Sequence, residues 1–207
     1  VFIGHSRRCA AAVTLATETA TWFKEQGFTM WFDVWMGDRS TKAMEEGAKQ
    51  CRAFVAVVSG PWRNNDAPND DPVLNAYFRR EYCIKELRWA QEAGVFIQPI
   101  IRLEDKTKIG EFLSLLDSPV KVDGEMQVVS DLKCLGATDW IDLNRNDNEY
   151  WNLGMTKVKR ALEAGGKKAA EARRNSQGNS SSSTSTVTSS VDRAALEKEI
   201  EERLKEE

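Results

Sequence analysis

The chain has 207 residues, 41% of them apolar, and a formal net charge of -3. That is enough apolar material for the core of one domain with an appendage, and the interspersed charges leave no basic stripe of the kind nucleic acid requires. No run approaches the roughly 18 apolar residues of a membrane span, and "VFIGHSRR" lacks the basic leader of a signal peptide, so a cytoplasmic protein with neither membrane nor nucleic-acid partner is expected.

In chain order, "VFIG" is a short apolar run ending at polar "HSRR", as a buried strand entering a loop would. Ala12, Leu15, Ala16, Thr19, Trp22 and Phe23 then recur at helical spacing up to Gly27, a residue suited to ending a helix. "FTMWFDV" reads as a second strand, "WMGDRS" as its loop, and Ala43, Met44, Gly47, Ala48 and Cys51 as one side of a second helix. "AFVAVVS" is apolar almost throughout, which suits a central strand covered on both faces.

A long stretch rich in Pro, Asn, Asp and Gly follows, of the length that usually marks a functional loop. Next comes "RREYCIKELRWA", a helix with Cys83, Leu87 and Ala90 on its apolar seam and the carboxylate Glu86 at the seam's edge, one turn beyond Tyr82. "GVFIQPII" is a fourth strand, whose Pro99 lacks a donor and suggests an edge or a strand end. A short helix is expected over 107–116, irregular chain over 117–136, a fifth strand at "TDWIDL", and a last domain helix carrying Trp151, Met155, Val158 and Leu162.

Strands alternating with helices give an α/β fold with a doubly wound five-stranded parallel sheet, its functional loops at the strands' carboxyl ends. The domain is expected over 1–165 and a flexible, disordered Ser/Thr-rich linker over 166–190. A short amphipathic helix over 191–207, with Leu196, Ile200 and Leu204 in its stripe, would begin a coiled coil or a further domain, or mark only where the sequence stops. A strand-like start and a helix-like end point to a piece of a longer protein.

The four cysteines, Cys9, Cys51, Cys83 and Cys134, are too far apart for a zinc site or a disulfide scaffold and read as reduced thiols. The lone histidine, His5, makes a metal site or a Ser-His-Asp triad improbable. Cys83 has no histidine near it in sequence and lies on an apolar seam, so it reads as structural. A phosphoacceptor response regulator would need acidic residues at the end of the first strand, and "VFIGHS" has none.

The collinear order of "VFIGHSRR", "GFTMWFDVWMGDRS", "AMEEGAKQCRAFVAVVS", "EYCIKELRWA" and "VFIQPI" resembles the TIR (Toll/interleukin receptor) domain, over residues 1 to about 165. The resemblance implies a flavodoxin-like sheet and one of two activities. One group hydrolyses NAD to nicotinamide and ADP-ribose or its cyclic form, using the glutamate of a W/Y-C-x-x-E pattern, here Tyr82-Cys83-Ile84-Lys85-Glu86. The other is a non-catalytic adaptor assembling with other TIR domains; many adaptors lack that glutamate.

Under the first reading Glu86 is catalytic, Tyr82 offers a ring for stacking, and His5, Arg7 and Arg8 follow the first strand, where the family contacts the dinucleotide. Trp35 and Gly37 lie in the loop that closes over ligand and forms assembly contacts. Asp33 reads as a structural loop or cap residue, and Gly4 stands where the family's first motif usually has serine. NAD would be substrate, with no resident cofactor or metal, and the active state a homo-oligomer, since in the family two neighbours often build the site jointly. The chemistry independently allows one carboxylate to suffice, because the pyridinium leaves as neutral nicotinamide and needs no general acid, unlike the two-carboxylate glycosidases.

Overall fold

The apolar runs at the start, middle and fourth strand become β1 (Phe2–His5), β3 (Ala53–Val57) and β4 (Phe96–Arg102) in a computed structural model, which describes residues 1–63 and 69–180. With β2 (Trp31–Phe32) and β7 (Ile141–Leu143) they form a five-stranded sheet in the order β2-β1-β3-β4-β7, parallel throughout. A hairpin of β5 (Val120–Val122) and β6 (Glu125–Gln127) is separate from it. The sheet is the flavodoxin-like, doubly wound arrangement expected from alternating strands and helices, with β3 in the centre.

Helices cover both faces. On one, α1 (Ala10–Glu25) and α5 (Asn148–Ser180) bury Leu15, Phe23, Met155 and Val158 against Ile3, Val55, Val57 and Ile100. On the other, α2 (Thr41–Gln50), α3 (Glu81–Glu92) and α4 (Ile109–Ser114) close over Phe2, Phe54, Ala56 and Ile101, with Ile84, Leu87 and Phe112 in that layer. The period-2 alternation of Phe2 and Ile3, or Phe54 and Val55, sends successive side chains to opposite layers, which is why these strands are apolar without interruption.

Four expectations change. Pro99 lies inside β4, which has neighbours on both sides. Val58 N–H donates to the Ile100 carbonyl, so Ile100 faces β3 and Pro99 faces the other side, where β7 begins pairing only at Ile100; the missing donor interrupts no ladder. The strand expected over "FTMWFDV" pairs only at Trp31 and Phe32, because Trp35 N–H turns back to the Phe32 carbonyl at 2.9 Å. Within the stretch expected to be irregular, Asp123 (φ 52) and Gly124 (φ 85) make the two-residue turn of the β5–β6 hairpin, the geometry for which Asp-Gly is favoured.

The fourth change is at the domain's end. Helix α5 continues through Gly165 and Gly166 to Ser180, so residues 166–180, expected as linker, are helical. These glycines are points of close approach: a Cβ at Gly165 would lie 2.4 Å from the Phe96 ring, and one at Gly166 would lie 3.1 Å from the Arg52 carbonyl. Ala, Lys, Glu and Arg then sustain the helix beyond them. Val1–Glu171 form one compact unit, and the described residues from Ala172 to Ser180 belong to a second. The Ser-rich tail and the amphipathic helix over 191–207 lie outside the described residues.

Candidate active site

Alternation along β1 turns Phe2 and Gly4 toward α3. Phe2 stacks between Trp31, at 4.3 Å, and Phe54, at 4.8 Å. Gly4, next on that face, presents only backbone, and Glu86 fills the space: a Cβ at position 4 would lie 2.6 Å from Phe54 Cζ and 3.0 Å from Glu86 Oε2. The glycine thus creates the room in which the carboxyl sits. Glu86 is 7% exposed, and among the described residues it accepts no hydrogen bond and makes no ion pair. Helical spacing places it on the buried side of α3 with Cys83, Leu87 and Ala90, while Tyr82, one turn earlier, is 45% exposed.

A carboxyl so enclosed resists ionisation. Burial pushes Glu86 well above the ordinary carboxylate range, the charge of Asp33 pushes in the same direction, and Arg7 opposes both. Asp33 follows β2 and binds Arg7 through Oδ2, 3.1 Å from Nε, while its Oδ1 stands 3.7 Å from His5 Nδ1. Burial lowers the His5 pKa, outweighing the pull of Asp33, so the imidazole is neutral. Its Nε2 and Asp33 Oδ1 are buried without hydrogen-bond partners. Asp33, expected only as a loop or cap residue, therefore also sets the field at Glu86.

These groups share a cavity of about 360 Å³ beyond the carboxyl ends of β1 and β2, whose wall includes His5, Arg7, Asp33, Tyr82, Cys83 and Glu86. Arg39 and Met44 enter from the start of α2 and its preceding loop, and Arg80 and Glu81 from the start of α3. Ser40 caps α2, its Oγ accepting from the Ala43 N–H at 3.2 Å, which anchors the loop carrying Arg39. The Tyr82 hydroxyl lies 3.2 Å from Thr41 Oγ1, tying the mouth of the cavity to α2. Cys83 donates to the His5 carbonyl at 3.4 Å, and burial followed by the Glu86 charge pushes its thiol well up, so it is no nucleophile in this state.

Of the residues singled out from sequence, the cavity gathers Glu86, Tyr82, His5 and Arg7 and leaves out three. Arg8 turns to Asp70 at 3.4 Å. Trp35 is 42% exposed, with its ring edge-on to Phe32 and Lys24 5.3 Å above it. Gly37 has no atom within 4 Å of where its Cβ would be. Arg39, Met44 and Arg80 were not singled out; Arg80's place at the head of α3, one residue before the Glu81–Glu86 turn, was the available signal.

A hollow with an acid in its wall whose ionisation burial opposes accepts a cation readily, because the incoming charge offsets burial and favours the carboxylate. Among the described residues no group of three or more His, Cys, Asp or Glu side chains could hold a metal ion, and no helix is long and apolar enough to cross a membrane. A family model described as TIR domain matches residues 1–154. No curated protein matches the chain.

Proposed function

Since that match covers most of the chain, which therefore belongs to the TIR domain family of signalling and defence modules, we propose that the protein is an NAD hydrolase acting in such a pathway in the cytoplasm. The observation that carries the reading is Glu86, buried at a cavity wall with no partner among the described residues, beside Tyr82 at the mouth. The ribose–nicotinamide bond breaks with its electron pair going to the pyridinium nitrogen, so nicotinamide leaves neutral and the positive charge passes to the ribosyl carbon. The positive nicotinamide ring bound beside Glu86 favours its ionised form, the proton passing to solvent, and the carboxylate stabilises that carbon and accepts hydrogen bonds from the ribose hydroxyls. Water then adds, loses a proton and gives ADP-ribose; attack by an internal nucleophile would give the cyclic product.

One well-placed electrostatic group of this type contributes about 3 to 4 kcal/mol. The test is nicotinamide release from NAD by concentrated protein: wild type releases it, and Glu86→Ala abolishes release. Wild-type protein that stays inactive even when assembled would sink the proposal.

A second reading, a non-turnover adaptor, is favoured by one observation: Val34 and Trp35 are adjacent and exposed, 37% and 42%, on the loop after β2. TIR domains generally interact with other TIR domains, and an apolar pair on a loop is suited to such a contact. The readings join if a neighbouring copy completes the site. Activity per molecule then rises with protein concentration, whereas strict proportionality down to dilute monomer argues for a site complete in one chain.

A further inference from the structure

The charged side chains around the Glu86 cavity differ in whether they already have partners. Asp33 holds Arg7. Glu81 holds Lys85 at 3.3 Å and also accepts from the Asp123 N–H at 3.1 Å. Arg39 and Arg80 have no carboxylate among the described residues. The first donates to the Met36 carbonyl at 3.2 Å and the second to the Leu74 carbonyl at 3.4 Å. A guanidinium has five N–H donors, so each retains most of its capacity.

The first turn of α3 adds to them. Arg80 occupies its N-cap position without a side-chain hydrogen bond to the helix, and Glu81, Tyr82 and Cys83 line the same cavity. An uncapped helix start favours an anion. The cavity thus combines one buried acid, Glu86, with two guanidinium groups, and among the described residues none of the three has a partner of opposite charge. That pattern matches a molecule with a cation and an anion a short distance apart.

We propose that Arg39 and Arg80, with the first turn of α3, bind the diphosphate of a dinucleotide, and that this subsite makes the protein select a nicotinamide dinucleotide over a nicotinamide nucleoside. The assignment rests on the NAD-hydrolase reading and specifies its substrate class. Arg8, the other arginine near β1, is turned to Asp70 and has no place in this wall. Arg7 is already bound to Asp33 and serves to moderate the acids. Guanidinium matches phosphate in a bidentate fashion that a lysine does not reproduce.

The experiment compares NAD with nicotinamide riboside, which has the same scissile bond and no phosphate, using the full chain. Arg39→Ala and Arg80→Ala are each expected to lower kcat/KM for NAD by about 10- to 100-fold, mostly through KM. They should leave nicotinamide riboside within about twofold of wild type, and Arg→Lys at either position should recover part of the loss. Equal losses on both substrates, or an unchanged ratio, would overturn the subsite while leaving the hydrolase reading intact. If wild type cleaves neither substrate, the hydrolase reading fails and the subsite is read by ADP-ribose binding, followed by tryptophan fluorescence. Binding weakened about 10-fold or more by each alanine variant supports it; no binding, or equal binding by wild type and variants, overturns it.

Discussion

Two hollows flank the sheet, and the larger is not the one with reactive character. The space between β4, β7 and α5 measures about 580 Å³ and is lined by Phe96, Asp142, Tyr150 and Lys157 among others, against about 360 Å³ for the Glu86 cavity. The acid of the larger hollow is satisfied. Asp142 accepts from the Tyr150 hydroxyl and pairs with Lys106 at 2.9 Å. Burial pushes its carboxyl up, but Tyr150 and Lys106 outweigh that and hold it below the ordinary range. Among the described residues Glu86 has neither kind of partner, and it is pushed the opposite way. Unused hydrogen-bonding capacity on a buried acid, rather than volume, distinguishes the two.

The largest test of that contrast replaces each acid by its amide. Glu86→Gln should cut nicotinamide release at least about 100-fold and raise Tm by about 2 °C or more, because it removes a buried group that resists its own charge. Asp142→Asn should leave release within about twofold and lower Tm by about 2 to 4 °C, because it weakens bonds to Tyr150 and Lys106. A parallel loss of activity in both would erase the distinction.

Glycines make a second matched pair. A Cβ at Gly4 meets Phe54 and Glu86, and one at Gly154 comes within 2.4 Å of Leu143 Cδ2 on the other side of the sheet. Both alanine substitutions overpack and should cost about 1 to 3 kcal/mol in urea unfolding. Only Gly4→Ala should also depress kcat, by displacing the carboxyl. Tyr82→Ala should raise KM for NAD about 2- to 10-fold through lost ring contact, with Tyr82→Phe near wild type. Unchanged KM in the alanine variant would remove Tyr82 from the binding surface.

The smallest effect is a slope of stability against pH. The folded protein holds the Glu86 proton to higher pH than the unfolded chain does, so this group's contribution is fully present below the ordinary carboxylate range and lost as pH rises toward its elevated folded value. His5, lowered by burial, acts oppositely: its contribution is present above the ordinary histidine range and fades as pH falls through its lowered value. The Tm difference between Glu86→Gln and wild type isolates the first term and should widen as pH rises from about 4 to neutral. A difference independent of pH would mean that Glu86 is not held protonated.

Several features were legible in the residues alone. Uninterrupted apolar strands and amphipathic helices require a parallel sheet covered on both faces, since no other arrangement buries "AFVAVVS" together with the stripes of α1 and α3. The pattern from Tyr82 to Glu86 put the acid at the seam's edge, because helical geometry is local. The Asp123-Gly124 turn signal is also local, but polar neighbours on both sides mask it, and the Ser-rich run that follows masks the helix-forming residues after Gly166.

Tertiary structure alone decided which charges find each other. Arg7 meets Asp33 and Arg8 meets Asp70, whereas Arg39 and Arg80, 41 positions apart along the chain, come to one wall. Ion pairing and desolvation act through space between segments that the fold brings together, so no local pattern records them. The chain's periodicity determined the scaffold and the acid's face; the vacancy at Gly4 and the lack of a partner, which make that acid unusual, exist only once β1 lies beneath α3.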